Sequence, residues 1–249
     1  MPPIRLVLFD IDGTLVDCGP QVKPLFTSAL VAVFGTAGDV DSCDFAGRTD
    51  TAIALDLLTG AGCPRHEVLA ALPRIRDLYL ANLERELEAR HMRLLPGVAE
   101  LLADLAGRAD LALGLLTGNW EPGARTKLSR FGLNRFFAFG AYGCDGIERT
   151  ELPPVALARA RSATGRAFTP AETLIVGDSR HDVSCARAHG IRSLAVATGR
   201  TPAAALHAAG ADRVVPDLLA AGDCVSWFAA DAAEAAEDQA AWAPERSTG

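Results

Sequence analysis

An apolar run that ends in two acidic residues limits the fold of this chain more than any other stretch. Ile4–Phe9 is apolar almost without alternation, which is typical of a central parallel strand covered on both faces. Asp10 and Asp12 follow directly, and they point to the same side if the strand character continues. Two carboxylates in one small space repel each other, and a cation holds both of them ionised. The run therefore predicts a divalent-metal site at the carboxyl end of a strand, where open α/β folds bind ligands.

Four more apolar runs alternate with segments of helical character along the chain. This alternation predicts an α/β fold with a doubly wound parallel sheet of Rossmann-like form. The four runs, which make five strands together with the first, are Leu111–Leu116, Thr173–Val176, Ser193–Ala197 and Arg213–Val215.

A long helical block separates the first strand from the second. Residues 17–93 have helical character throughout, including a stretch at Arg65–Arg90 that Pro73 is expected to interrupt. We interpret this block as an inserted all-helical cap domain. The α/β catalytic core is then formed by residues 1–16 and 94–228.

Charge and cysteine usage argue against several classes of function. The 249 residues carry a formal net charge of −7 with scattered arginines, so the chain lacks the basic patch of a nucleic-acid-binding protein. None of the six cysteines forms a C-x-x-C pair and the sequence starts without a signal peptide, so we expect reduced thiols and a cytoplasmic protein. No run reaches the roughly 18 apolar residues that span a membrane. Residues 229–249 are rich in alanine and acids, which predicts a mobile tail or one frayed helix without catalytic residues.

Polar residues also follow two of the other predicted strands. Thr117 and Asn119 come after the second strand and Asp178 after the third, with Asp182 four residues further on in the first turn of a helix. Since the carboxyl ends of parallel strands lie along one edge of a sheet, these residues can share a site with Asp10. Asp178 or Asp182 alone would be interpreted as a helix cap. The two acid pairs together favour the oxygen ligation that suits Mg²⁺.

Three motifs carry a resemblance to a known family. In order and spacing they are similar to the signature motifs of the haloacid dehalogenase superfamily over about residues 4–216, and the helical block resembles that of the phosphoglycolate-phosphatase-like branch. The resemblance implies a Mg²⁺-dependent phosphatase, a phosphoric monoester hydrolase that forms an aspartyl-phosphate intermediate. The motifs are Asp10-x-Asp12-Gly13-Thr14, Leu115-Leu116-Thr117-Gly118-Asn119 and Gly177-Asp178-x-x-x-Asp182.

The resemblance also implies a role for each acid. Asp10 would be the nucleophile and a metal ligand, since a carboxylate needs no deprotonation before it attacks. Asp12 would protonate the leaving alcohol and then activate water, while its backbone carbonyl ligates the metal. Asp178 would complete the metal ligands, and Asp182 would orient the site from behind them.

Phosphate binding is expected of one loop and one cation. The Thr117 hydroxyl and the amides of Gly118 and Asn119 would hold the phosphoryl oxygens. The family usually places a lysine ahead of the third strand, but this chain has none there. Arg149 is the best candidate for that place because it is permanently cationic and can make a forked contact to phosphate. Lys127 is an alternative, although its position inside a helix favours a solvated face.

Single residues argue against several rival activities. A dehalogenase needs no acid for its leaving group, which argues against dehalogenation because Asp12 is present. Phosphonate cleavage calls for a small residue there and a Schiff-base lysine in the cap, where Lys23 is the only lysine. A phosphosugar mutase shares all the motifs and stays open, as does a catalytically idle binding or regulatory protein of this fold. A nucleotide-binding dehydrogenase would need a G-x-G-x-x-G motif after the first strand, and none is present.

The expected partner is a small phosphorylated metabolite of the phosphoglycolate or sugar-phosphate type. We expect its specificity to come from the cap loop Gly47-Arg48-Thr49-Asp50, and within it from Gly47 and Arg48. Arg48 could bind a substrate carboxylate or a second phosphate, or it could form an exposed salt bridge. Neither nucleic acid nor a membrane is an expected partner, and the protein is expected to be a monomer or a homodimer.

Overall fold

Two sheets organise the structure, a computed structural model that describes residues 2–222, 224 and 226. Its strands are β1 (Leu6–Phe9), β2 (Val16–Asp17), β3 (Arg93–Leu94), β4 (Ala112–Leu116), β5 (Gly140–Ala141), β6 (Thr173–Gly177), β7 (Arg192–Val196) and β8 (Arg213–Val215). The main sheet is parallel, with six strands in the order β5-β4-β1-β6-β7-β8, and β2 pairs with β3 in a separate antiparallel sheet. The predicted doubly wound α/β fold is therefore confirmed.

β1 lies at the centre of the main sheet because its side chains are apolar on both faces. All four of its residues are fully buried. Val7 and Phe9 belong to one hydrophobic cluster, whereas Leu6 and Leu8 belong to another, as expected when alternate residues of a strand face opposite sides. Burial on both faces confirms the prediction of a central parallel strand.

Helices supply the apolar residues that complete these two clusters. Side chains of α4 and α5 join the cluster of Val7 and Phe9, and side chains of α6 and α7 join the cluster of Leu6 and Leu8. In chain order the helices are α1 (Val22–Phe34), α2 (Asp50–Gly60), α3 (Arg65–Glu86), α4 (Val98–Ala106), α5 (Glu121–Ser129), α6 (Leu152–Thr164), α7 (Arg180–Ala188) and α8 (Ala203–Ala209).

The strand order brings three carboxyl ends together. β1 pairs with β4 on one side and with β6 on the other, so that Phe9 lies in register with Leu115 and Val176. The residues that follow these strands meet at one edge, where the chain order reverses and α/β proteins bind their ligands.

Three of the helices, α1, α2 and α3, lie within residues 17–93, which we call the helical insertion. α3 continues through Pro73, so the expectation that Pro73 interrupts it was wrong. A proline inside a helix removes a backbone donor, but here packing of one helix face outweighs that loss. The buried residues of that face are Val68, Ile75, Tyr79 and Leu83.

Short strands that the sequence analysis did not predict hold the ends of the helical insertion. Val16 pairs with Leu94 and Asp17 with Arg93, and the side chains of the second pair form an ion pair. β5 is likewise a sixth strand of the main sheet where five were predicted. Strands of two residues are too short to show the alternation that identifies a strand.

No described helix is both long enough and apolar enough to cross a membrane. The predicted tail at residues 229–249 lies outside the described residues.

Candidate active site

One cavity of ≈ 350 Å³ lies at the carboxyl edge of the main sheet and collects the residues selected from the sequence. Every predicted site residue except Asp182 lines it. The lining residues among them are Asp10, Asp12, Gly47, Arg48, Thr117, Gly118, Asn119, Arg149 and Asp178.

Three carboxylates lie close together at this site. Asp10, Asp178 and Asp182 are buried, and one carboxylate oxygen of each lies within 4.8 Å of the others. The turn after β1 fits closely over them, because Gly13 has φ +82° and a Cβ atom there would lie 2.5 Å from Asp178 Oδ2. Thr14 Oγ1 donates a hydrogen bond of 3.2 Å to Asp178 Oδ1. Only glycine allows the main chain to pass this close to the carboxylate.

Burial and mutual repulsion shift the titration of these acids. Burial raises the pKa of Asp10 to about 6, and the charges of Asp182 and Asp12 act in the same direction while Arg149 opposes them. Burial, followed by the Asp10 carboxylate, raises the pKa of Asp178 well above its ordinary value. A divalent cation would relieve the repulsion between these carboxylates, and their hard oxygen donors suit such an ion. The residues present therefore fit a divalent metal.

Asp182 lies behind the other two acids and is fully engaged by the protein. Its Oδ2 accepts hydrogen bonds from the Ser179 amide (3.0 Å) and the Ser179 hydroxyl (2.6 Å), in a capping box at the start of α7. Its Oδ1 accepts from Arg149 Nη2. Asp182 is thus a helix cap and also a support for the site, which agrees with its predicted place behind the metal ligands.

Arg149 occupies the centre of the site and is almost fully buried. Its Nη2 lies 3.1 Å from Asp10 Oδ1 and also donates to Asp182 and, at 2.9 Å, to the Leu116 carbonyl. Its Nη1 donates to the Gly47 carbonyl of the helical insertion at 3.1 Å. This placement supports the prediction that Arg149 provides the positive charge that the family usually obtains from a lysine.

Lys127 also reaches the site, so the prediction of a solvated face for Lys127 was wrong. The side chain is only 2% exposed, and its amine lies 2.9 Å and 2.7 Å from the two carboxylate oxygens of Asp12. Burial acts to raise the pKa of Asp12, but the contacts with Lys127 hold it below its ordinary value. The sequence contained a signal for this position, because the buried face of α5 is formed by Gly123, Ala124, Lys127 and Leu128 at helical spacing.

The loop after β4 lies between the carboxylate site and the helical insertion. Thr117 Oγ1 accepts hydrogen bonds from Asn119, at 2.8 Å from its side-chain amide and at 3.4 Å from its backbone amide. Gly118 packs so tightly that a Cβ atom would lie 1.9 Å from the Arg48 carbonyl oxygen. The predicted phosphate-binding loop therefore lies directly under the insertion.

The insertion loop contributes Gly47 and Arg48 to the lining of the cavity. Arg48 forms an ion pair with Asp56, and its Nη1 lies 3.7 Å from Cys43 Sγ. Of the two alternatives for Arg48, the structure shows the salt bridge, although its side chain also lines the cavity. Lys23 lines the cavity as well, with its amine 5.3 Å from the centre of the Phe45 ring.

Asp50, the last residue of the predicted cap loop, is buried where the insertion meets the loop after β4, which the sequence did not indicate. It begins α2, where its amide donates to the Gly118 carbonyl and its Oδ2 accepts from the Trp120 amide, each at 2.8 Å. Burial raises the pKa of Asp50 to about 7, with Lys127 acting in the opposite direction. From the sequence alone Asp50 is an ordinary acid in the first turn of a helix.

Known proteins share both the sequence and the fold of this chain. Its residues 7–196 match the model of the haloacid dehalogenase-like hydrolase family. The chain is 28% identical over 215 residues to a phosphoglycolate phosphatase of Salmonella typhi, covering 79% of this chain and 82% of that protein. It is 32% identical over 201 residues to phosphoglycolate phosphatase 1 of Pseudomonas aeruginosa, covering 78% and 70%. It is also 30% identical over 201 residues to the tyrosine-protein kinase PtkA of Mycobacterium tuberculosis, covering 78% and 62%.

A solved structure agrees with these sequence relatives. A haloacid dehalogenase-like family hydrolase of Streptococcus pneumoniae superposes with a TM-score of 0.61 at 20% identity, covering 90% of this chain and 98% of that one. This likeness shows a common fold. Because the family model spans most of the chain and includes the strands that carry the acids, the chain belongs to the haloacid dehalogenase-like hydrolase family, as its motifs predicted.

Proposed function

We propose that this protein is a Mg²⁺-dependent phosphatase that hydrolyses small phosphate monoesters through an aspartyl-phosphate formed on Asp10. The observation that carries the proposal is the setting of Asp10 in the cavity. Its carboxylate has the Asp178 carboxylate on one side, with which it can share a cation, and the Arg149 guanidinium within 3.1 Å. An anionic nucleophile can approach an anionic phosphate only where positive charge offsets their repulsion, and this arrangement supplies it.

The residues suited to hold the metal are Asp10 and Asp178 through their carboxylates and Asp12 through its backbone carbonyl. When bound, Mg²⁺ supplies positive charge that neutralises the nucleophile and a phosphoryl oxygen. Arg149 holds the Asp10 carboxylate in place and is itself held by Asp182.

The chain's own residues then carry out two transfers. An oxygen of Asp10 bonds to phosphorus while the ester P–O bond breaks, and Asp12 gives its proton to the departing alcohol oxygen. Water next bonds to phosphorus and gives a proton to Asp12, while the bond to Asp10 breaks and inorganic phosphate is released. Thr117 and the amides of Gly118 and Asn119 hold the remaining phosphoryl oxygens.

The helical insertion acts as the cap that selects the substrate. The ≈ 350 Å³ cavity suits a small molecule. Besides Lys127 and Arg149, three cationic residues line it, namely Lys23, Arg48 and Arg200. Positive charge around the entrance favours an ester that carries a second anionic group. Phosphoglycolate and sugar phosphates are therefore the first substrates to try, and the two related phosphoglycolate phosphatases support the former.

A panel of phosphate monoesters tests the proposal through the release of inorganic phosphate with Mg²⁺. We expect turnover of at least one small anionic ester by the wild-type protein and loss of turnover in Asp10→Asn. Asp104→Asn on α4, an exposed residue, is the matched control and should keep full activity. Absence of turnover across the panel, or an Asp10→Asn variant as active as the control, would refute the proposal.

A further inference from the structure

α5 carries a lysine into the back of the active site and presents it to Asp12. Lys127 Nζ lies 2.9 Å from Asp12 Oδ1, 2.7 Å from Asp12 Oδ2 and 2.6 Å from Asn119 Oδ1. An ammonium group has three N–H donors, and these three acceptors can use all of them.

Asn119 closes this contact into a triangle. Its side-chain amide donates to Asp12 Oδ2 at 2.8 Å and to Thr117 Oγ1 at 2.8 Å, while its carbonyl accepts from Lys127. Both oxygens of Asp12 therefore accept hydrogen bonds from residues that also line the cavity. Asp12 is thereby linked to the predicted phosphate-binding residue Thr117.

Asp12 needs such support more than its neighbours do. Its side chain is 41% exposed, whereas the Asp10 side chain is 4% exposed and held by Arg149. An exposed carboxylate next to a glycine turn can sample several rotamers, and a displacement of about 1 Å at a reacting group can cost ~10²-fold in rate. The contacts from Lys127 and Asn119 restrict it to one orientation.

Packing alone does not require an amine at this position. A buried ammonium loses its hydration, a cost that an apolar residue of similar length would avoid. One buried polar group also stays without a hydrogen bond: the Tyr79 hydroxyl of the helical insertion has no partner among the described residues. A buried cation with all its donors aimed at Asp12 and Asn119 is therefore better explained by the reaction than by stability.

We propose that Lys127 is a positioning residue that fixes the Asp12 carboxyl group for both of its proton transfers. This inference rests on the proposed phosphatase function. The contacts of the Lys127 amine are with Asp12 and Asn119, and in this proposal it gives up no proton in either step. Its contribution should therefore appear only in steps that need Asp12.

The two half-reactions need Asp12 to different degrees, and this difference provides the test. When the aspartyl-phosphate forms, an alkyl leaving group must receive a proton from Asp12. A p-nitrophenyl leaving group hardly needs one, because p-nitrophenolate is a stable anion. Hydrolysis of the aspartyl-phosphate needs Asp12 as a base, whichever ester formed it. For Lys127→Met we expect kcat on the best alkyl ester of the panel to fall ~10²-fold, with KM changed less than about threefold. With p-nitrophenyl phosphate we expect a rapid burst close to one equivalent of p-nitrophenolate per enzyme, followed by slow turnover.

Two further variants separate positioning from damage to the fold. Lys127→Arg keeps the charge and several donors, and it should recover part of the lost kcat. Arg161→Met, an exposed residue of α6, removes a charge far from the site and should behave as wild type. If Lys127→Met does not fold, Lys127→Gln allows the same comparison, because its shorter and neutral side chain cannot supply the three donors of the ammonium group.

The outcomes distinguish this inference from the function beneath it. Wild-type protein that turns over no phosphate ester overturns both. Active wild-type protein overturns the inference alone if Lys127→Met keeps full activity on alkyl esters. The same conclusion follows if the variant loses activity equally on alkyl and p-nitrophenyl esters without a burst.

Discussion

Replacement of Arg149 by methionine should lower the free energy of unfolding, because the buried guanidinium forms ion pairs with two buried carboxylates. In Arg149→Met the carboxylates of Asp10 and Asp182 lose the cation that lies within ion-pair distance of both. Breaking a buried ion pair by removing one partner costs about 3–5 kcal/mol. For a chain of this size, that loss corresponds to a melting temperature lower by roughly 6–20 °C.

The destabilisation should depend on pH, with a sign that follows from the Asp10 carboxyl group. Burial already raises the pKa of Asp10 to about 6, and without Arg149 that pKa rises further. An acid whose pKa is higher in the folded state destabilises that state when ionised, and this cost disappears once both states are protonated. The gap between wild type and variant should therefore be large at about pH 8 and narrower at about pH 5.

Urea unfolding of metal-free protein at the two pH values measures this effect. Arg149→Lys keeps the charge but loses the forked contact, so we expect an intermediate loss of about 1–3 kcal/mol. Arg161→Met should stay within about 0.5 kcal/mol of wild type, as for a surface change. A cost of less than about 1 kcal/mol for Arg149→Met, or an equal cost at both pH values, would show that Arg149 does not stabilise the fold through these two carboxylates.

Three more results are expected. EDTA should abolish turnover, and Mg²⁺ should raise the melting temperature more at about pH 8 than at about pH 5, because protons compete with the metal once the pH falls below the Asp10 pKa of about 6; an equal shift at both pH values would contradict this. Gly118→Ala should raise KM and expose the helical insertion to limited proteolysis, because its Cβ would lie 1.9 Å from the Arg48 carbonyl oxygen; an unchanged KM and cleavage pattern would contradict this. Asp50→Asn should raise the free energy of unfolding above pH 7 and lose that gain as the pH falls, because burial raises the pKa of Asp50 to about 7; a gain that persists at about pH 5 would point to another cause.

The convergence of Asp10, Thr117 and Asp178 could be predicted because two simple rules determine it. A strand that is apolar on both faces must lie inside a parallel sheet, and parallel strands end at one edge. Neither rule needs knowledge of side-chain contacts. Arg149 could be selected as well, because a phosphate site in an acidic protein needs a local cation and the expected lysine was missing.

Lys127 was misjudged because a lone charged residue in a helix is usually solvated. Its true environment depends on α5 starting directly after the loop at residues 117–119, which turns Gly123 and Lys127 inward together. The burial of Asp50 was not predicted for a related reason, since it comes from the docking of the helical insertion on Gly118 and Trp120. Contacts between segments far apart in sequence leave no periodic signal in either segment.

Arg149 shows how this chain can function without the lysine that its family usually has. Its Nη2 serves Asp10 and Asp182, and its Nη1 serves the Gly47 carbonyl of the helical insertion. A lysine amine is a single point of charge, whereas a guanidinium separates its donors along a rigid fork. One nitrogen can therefore neutralise Asp10, the proposed nucleophile, while the other holds the Gly47 loop. The orientation of Asp10 is thus tied to the position of the insertion, a link that a lysine amine in the same place would not make in this way.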